Sequence, residues 1–309
     1  MKLGKAFEIF VKRILLNVGF SEVNSDGLYI FDGAPGQMIQ GLGEAHNADV
    51  LLEPPVQTPF YSLTRLLIEC KDYSRKVGLN TVRSALGLKE DINHFDIVDI
   101  NELNARRKMK RNSILYNHDR YSYQVAIAAL NGFTVPAQKF AATYRIPLLE
   151  FNKMPFWNDF RNVMNTRDIN GMVNYDLNEI TEREIISLAD EIGNCMAVAI
   201  TNSGQMLFLY RTRGNETNFN YNYSLHWSNQ NEPWQLRSGN NSYLFQLPDS
   251  ILKIWLNNAK NELEMRREAI NCKVNYLSNM VVYYMEYGRP MIKMISIDKH
   301  ELEKARKKI

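Results

Sequence analysis

Asp49, Glu69 and Lys71 are the residues of this chain whose types and spacing could do chemistry. Glu69 and Lys71 close the aliphatic stretch Leu66, Leu67, Ile68 in the segment LLIECKDYSRKVG, residues 66–78. Strand side chains alternate between faces, so Glu69 and Lys71 point one way and Cys70 the other. A carboxylate and an ammonium buried side by side are costly unless they pair or hold a metal. One reading is a simple Glu–Lys ion pair on an exposed strand. The other needs a third group, and Asp49 offers it. Asp49 stands at the start of the apolar stretch ADVLLEP, residues 48–54. Asp49 and Glu69 could hold a divalent cation between them, and hard oxygen ligands suit Mg²⁺ or Mn²⁺. Such an ion polarises a phosphoryl oxygen and activates a water. Lys71 would orient that water or stabilise charge building on the phosphate oxygens.

The elements that must position these residues can be read from periodicity. Phe7, Phe10, Val11, Ile14, Leu15 and Val18 share one face of a helix over residues 5–18, with Gly19 as its stop. Strands are expected at 27–31, 48–54 and 61–73, with a Gly-rich turn region up to Gly43. Two helices follow, at about 78–93 and 98–112. The run YQVAIAALN (123–131) reads as a strand buried on both faces. A helix capped by Thr134, with Pro136 in its first turn, leads to a buried strand, IPLLEF (146–151). Strand, helix, strand of these lengths implies a crossover unit in a partly parallel sheet. Beyond residue 153 the texture changes. A helix at 180–193 carries a Thr181–Glu184 capping box and ends at Gly193. Hairpins are expected around Asn202–Gly204 and over 280–297, with edge strands and loops at 214–242. Helices at 250–273 and at the charged end of the chain complete this half.

Composition narrows the function classes. The chain has 309 residues, 45% hydrophobic and 23% charged, which is ordinary for globular domains. No apolar run reaches the roughly 20 residues of a membrane helix, and the charged N-terminal segment does not read as a signal peptide. Three scattered cysteines argue against a disulfide framework or a structural zinc site. A cytoplasmic location is the simplest expectation. Net charge is only +3, so nucleic-acid binding must come from local patches. One such patch is ARRKMKR, whose Arg106, Arg107, Lys108, Lys110 and Arg111 form either a solvated helix face or a phosphate-contacting segment.

The order of these segments resembles the PD-(D/E)xK nuclease superfamily, and within it the Mrr-like restriction endonucleases. GKAFEIFVKRILLNVGF is similar to that family's opening helix, ADVLL to the strand of the first catalytic Asp, and IECKDYSRKVGLNTVRSALG to the Glu-x-Lys strand and the helix behind it. VAIAALNGFTVPAQKFAATYRIPLLEF is similar to the later strand, the Gly-Phe-Thr turn, the alanine-rich helix and the final strand. The resemblance covers residues 1–152. It implies an α/β fold: a restriction-endonuclease-like mixed sheet flanked by helices, here followed by a separate α+β domain over 153–309. It implies Mg²⁺- or Mn²⁺-dependent hydrolysis of phosphodiester bonds, usually in DNA. Asp49 and Glu69 would be metal ligands with the backbone carbonyl of Cys70; Lys71 would be the catalytic lysine, and Glu8 an outer acidic contributor. Two departures stand out. The helix after Glu-x-Lys often carries a Gln; here it offers Asn80 and Arg83. The link over residues 93–122 is long and carries the basic patch.

The expected activity is a DNA endonuclease in restriction or anti-phage defence, plausibly a homodimer that cuts both strands. Two alternatives stay open: a repair or junction-resolving nuclease, and a nucleic-acid-binding module that keeps the fold without cutting. Arg83 reads equally well as a phosphate contact or a solvated side chain. His46 reads more readily as a loop histidine without a role, and Cys70 as a small hydrophobe. The aromatic residues of the second half, Trp227, Trp234, Tyr210, Tyr221, Tyr223 and Tyr243, read as core before base-stacking surface. Target recognition is the role expected of that half, by analogy alone.

Overall fold

The computed structural model describes residues 3–34, 36–57, 62–96, 100–109, 119–160, 181–219, 223–227, 233–249, 251–252, 259–297 and 299–307. Its first half is built on a mixed five-stranded sheet. Helix α1 (Leu3–Asn17) is followed by the short strand β1 (Ser21–Glu22). Three strands, β2 (Ile30–Gly33), β3 (Gly36–Gln40) and β4 (Ala45–Asn47), form a small antiparallel sheet of their own. Strands β5 (Val50–Glu53) and β6 (Leu63–Lys71) come next, then helices α2 (Leu79–His94) and α3 (Ile100–Lys108). Strand β7 (Tyr121–Ala129), helix α4 (Val135–Tyr144) and strand β8 (Leu148–Glu150) complete the unit. The main sheet runs in the order β1-β5-β6-β7-β8. β5 and β6 pair antiparallel, whereas β6, β7 and β8 are parallel, joined by crossovers that carry α2, α3 and α4.

Alternation along the strands decides what each face packs against. On one face Val50, Leu52, Leu66, Ile68, Ala126 and Ala128 meet the apolar stripe of α1. On the other, Leu51, Leu67, Val125 and Ile127 meet Val82, Ala85 and Ile92 of α2 and Ala137 and Ala141 of α4. The small sheet joins this second layer through Ile30 and Ile39. It lies where a turn region was expected, and only its first strand was anticipated, a few residues early. Its strands are short and include Gly36, Gln37 and Gln40, so they lack the apolar alternation that marks a half-buried strand.

The second half is a seven-stranded antiparallel sheet flanked by helices. Helix α5 (Glu182–Gly193) leads into the hairpin β9 (Met196–Thr201) and β10 (Met206–Arg213). Strands β11 (Tyr223–His226), β12 (Trp234–Ser238) and β13 (Asn241–Phe245) extend one side. Helix α6 (Glu262–Tyr276), the hairpin β14 (Asn279–Glu286) and β15 (Arg289–Ser296), and helix α7 (Lys299–Lys307) follow. The expected helix at 250–273 is interrupted: residues 249, 251 and 252 are helical, residues 259–261 are not, and α6 begins at Glu262. Asn261 caps it, its side chain accepting from the Glu264 amide at 2.9 Å.

The core is continuous across residue 152. α1 packs between the first sheet and α5, and Phe7, Phe10, Phe151, Phe156 and Phe208 meet in one cluster. Phe7 and Phe151 cross edge-to-face at 4.9 Å, and Phe151 meets Phe208 of β10 at 5.7 Å. Arg13 of α1 donates to Asp190 of α5 at 2.5 Å, and Asn17 donates to the same carboxylate at 2.8 Å. The opposite face of the second sheet holds its own core with Ala269 and Cys272 of α6.

Local signals hold in part. Thr181 and Glu184 form the reciprocal capping box, at 2.8 and 3.3 Å. Thr134 occupies the N-cap of α4, yet its side chain makes no capping bond. Gly193 closes α5 for a different reason from the one expected. A Cβ there would lie 2.6 Å from the Cβ and Nδ2 of Asn17, so the glycine is needed for the close approach to α1. Gly193→Ala should therefore lower stability by about 1–3 kcal/mol, read as a reduced melting midpoint.

Candidate active site

Asp49, Glu69 and Lys71 come together on the α2 face of the main sheet. The β5–β6 register pairs Val50 with Ile68, and continuing it by one residue sets Asp49 opposite Glu69. Glu69 shares its face with Leu67, and Asp49 shares its own with Leu51, both packed toward α2. Lys71 follows two residues after Glu69, so its ammonium returns to the same carboxylate. Lys71 Nζ donates to Glu69 Oε2 at 2.8 Å, and both side chains are about four-fifths buried, with 19% and 18% exposed. These residues line an open cleft of about 1140 Å³, floored by β6 and Ile127 of β7. Asn80, Thr81 and Ser84 of α2 form one wall; Gly43 to Asn47 form the other.

The backbone fixes Asp49. Its Oδ2 accepts the Cys70 N–H at 2.8 Å, and its Oδ1 accepts from the Asn47 side chain at 3.1 Å. A residue's N–H and C=O leave a strand on the same edge, so the Cys70 carbonyl points toward Asp49 as well. The Asp49 and Glu69 carboxylates line one cleft, and the Cys70 carbonyl leaves β6 on the edge that faces Asp49. Each carboxylate oxygen has a second lone pair beyond its present donor. That donor set suits Mg²⁺ or Mn²⁺, which typically takes one or two carboxylates and completes its shell with waters and substrate phosphates. Among the described residues, no three His, Cys, Asp or Glu side chains form a group that could hold a metal. A cation here would rest on two side chains and the backbone.

Electrostatics follow from the same crowding. Burial disfavours the Lys71 ammonium, but Glu69 at hydrogen-bond distance, and then Asp49, outweigh it and raise Lys71 above the ordinary lysine value. Burial pushes the Cys70 thiol well up, and the charges of Asp49, Glu8 and Glu69 add to the rise. Cys70 therefore stays a protonated, packed side chain and not a nucleophile. Glu8 sits on α1, on the other side of the sheet, and pairs with Lys5 at 2.9 Å. It shares a smaller cleft of about 420 Å³ with Asp49, which stands between the two clefts.

The expected nucleic-acid contacts are more dispersed. Arg83 is exposed on α2 and lies over the Phe140 ring at 5.8 Å, outside the residues that line the main cleft. Arg107 and Lys108 are exposed on α3. Lys110, Arg111 and the side chain of Arg106 lie outside the described residues, as does Tyr221. Trp234 and Tyr243 are fully buried, and Trp227 stacks on Trp234 at 5.4 Å, so these aromatics belong to the second core.

Asp91 carries no signal in the sequence, and His46 reads there more readily as a loop histidine than as part of the site. His46 Nε2 lies 2.7 Å from Asp91 Oδ2, and both residues line the main cleft. The hydrogen bond to His46, then that from the Gly43 amide, hold the Asp91 carboxyl below its ordinary value. The two residues are 45 positions apart, and nothing in local spacing links them.

Among the described residues, no helix is long and apolar enough to cross a membrane. No protein-family model matches this chain, and no curated protein matches it. The crystal structure of a "Protein of Unknown Function AF1548" is similar over 61% of this chain and 97% of that one, at 16% identity and a TM-score of 0.32.

Proposed function

We propose that this chain is a divalent-metal-dependent deoxyribonuclease with the restriction-endonuclease-like fold of the Mrr-like PD-(D/E)xK enzymes, acting in restriction or anti-phage defence. The observation that carries the reading is Asp49, held by the Cys70 amide of the next strand, lining one open cleft with the Glu69–Lys71 pair. An ordinary surface ion pair would not need an Asp held by the next strand's backbone. A Mg²⁺ or Mn²⁺ ion held by Asp49, Glu69 and the Cys70 carbonyl would polarise the scissile phosphate and activate water. Lys71 donates toward the attacking water or the phosphate oxygens. Asn47 and the Cys70 amide keep Asp49 in place. The walls formed by α2 and the β3–β4 hairpin orient the strand. A homodimer would bring two such sites to the two strands of a duplex.

The test is a cleavage assay on supercoiled plasmid, methylated and unmethylated duplexes, single-stranded DNA and RNA, each with Mg²⁺ or Mn²⁺. Metal-dependent scission of DNA, stopped by a chelator, is expected. Scission of RNA alone would replace the substrate. Intact nucleic acid under every condition would remove the catalytic reading and leave the binding-module alternative.

A further inference from the structure

The β3–β4 hairpin is attached to α2 by a set of contacts that all converge on Asp91. The Leu42 amide donates to the Asp91 carbonyl at 3.1 Å, and the Gly43 amide donates to Asp91 Oδ1 at 2.8 Å. His46 Nε2 bonds Asp91 Oδ2 at 2.7 Å. A Cβ at Gly41 would fall 2.0 Å from Asp91 Oδ2 and 2.6 Å from the Glu44 carbonyl, so the loop closes on Asp91 only with glycine there. The two backbone bonds already tie the hairpin to the helix. The imidazole bond is therefore surplus to attachment, yet it fixes the ring at the cleft wall. The bond to Asp91 uses Nε2, and Nδ1 is the ring's other polar atom.

The charge pattern of the cleft says what that nitrogen could meet. Glu44, Asp49, Glu69 and Asp91 line it, and the basic side chains among its described lining residues are Lys71 and His46. A phosphodiester strand entering so acidic a cleft needs positive partners beyond the metal site. Lys71 is committed to Glu69 and the scissile centre. An imidazole whose Nε2–H is given to a carboxylate presents, when protonated, an N–H at Nδ1, a suitable donor to a phosphate oxygen.

Resting on the nuclease reading above, we propose that His46 contacts a substrate phosphate beside the scissile one and that Asp91 is the positioning residue that aims it. The groups facing His46 are Asp91 from α2 and Glu44 from its own hairpin, with Asp49, Glu69, Lys71 and Tyr73 across the cleft.

The experiment measures binding of a fluorescent DNA oligonucleotide by anisotropy, in Lys71→Ala protein so that the probe stays intact, over a range of salt concentrations. Adding His46→Gln should weaken binding roughly tenfold. It should also reduce the slope of log affinity against log salt by about 0.7–0.9, the signature of one lost phosphate contact. Asp91→Asn should act in the same direction, and the two changes together should equal His46→Gln alone. An unchanged salt slope, or weakening in parallel with a lower melting midpoint, makes the pair structural and overturns the proposal. Additive effects overturn the positioning role of Asp91. If the wild type cuts nothing yet binds with this His46-dependent slope, the nuclease reading falls and the contact stands. If it cuts and the slope does not depend on His46, the contact falls and the nuclease stands.

Discussion

Lys71→Ala is expected to slow phosphodiester cleavage by about 10²–10³-fold, the range seen when one preorganised donor is removed from a charge-developing centre. The geometry explains why the loss should fall on the chemical step. Lys71 Nζ is held 2.8 Å from Glu69 Oε2 on the face that also presents Asp49. Alanine removes the ammonium paired with Glu69 and leaves Asp49 fixed by the Cys70 amide and Asn47. Divalent-metal binding should therefore persist while turnover collapses. Single-turnover cleavage with saturating Mn²⁺ separates the two. A variant that cuts within a few-fold of wild type would take Lys71 out of the chemistry.

Phe151→Ala should cost about 3–5 kcal/mol, the range for deleting a large buried aromatic side chain. Phe151 is fully buried and touches Phe7 and Phe10 of α1, Phe156, and Phe208 of the second sheet. It lies at the join between the two halves, in a core that both share. The loss should appear as one cooperative transition moved to lower temperature, seen alike by probes in either half. Two separate transitions, with only one displaced, would show that residues 1–152 and 153–309 melt independently.

Much of the positioning framework was legible in the chain. The α1 stripe at Phe7, Phe10, Val11, Ile14 and Leu15 is buried as its period implies. The parity of Glu69 and Lys71 on β6 followed from alternation alone, and the Asp49 strand is the neighbour that the reading required. What escaped notice depends on contacts between distant segments. The β2–β4 sheet is too short and too polar to show a period. His46 and Asp91 meet only because a glycine loop folds onto α2. Gly193 looked like a helix stop, whereas its constraint is the approach of Asn17. The partition of α1 between two layers was equally hidden, since an amphipathic pattern shows that one stripe is buried but not how many elements cover it.

In the proposed site, Asp49 and Glu69 together hold one divalent cation. A calorimetric Mn²⁺ titration of wild type, Asp49→Asn and Glu69→Gln tests it most directly, with cleavage measured on the same samples. One Mn²⁺ per chain is expected in the wild type, with binding weaker by roughly 10–100-fold or more in either variant and loss of cleavage in step. Equal Mn²⁺ affinity in all three proteins would contradict it and leave Glu69 and Lys71 as an ion pair at the wall of a cleft.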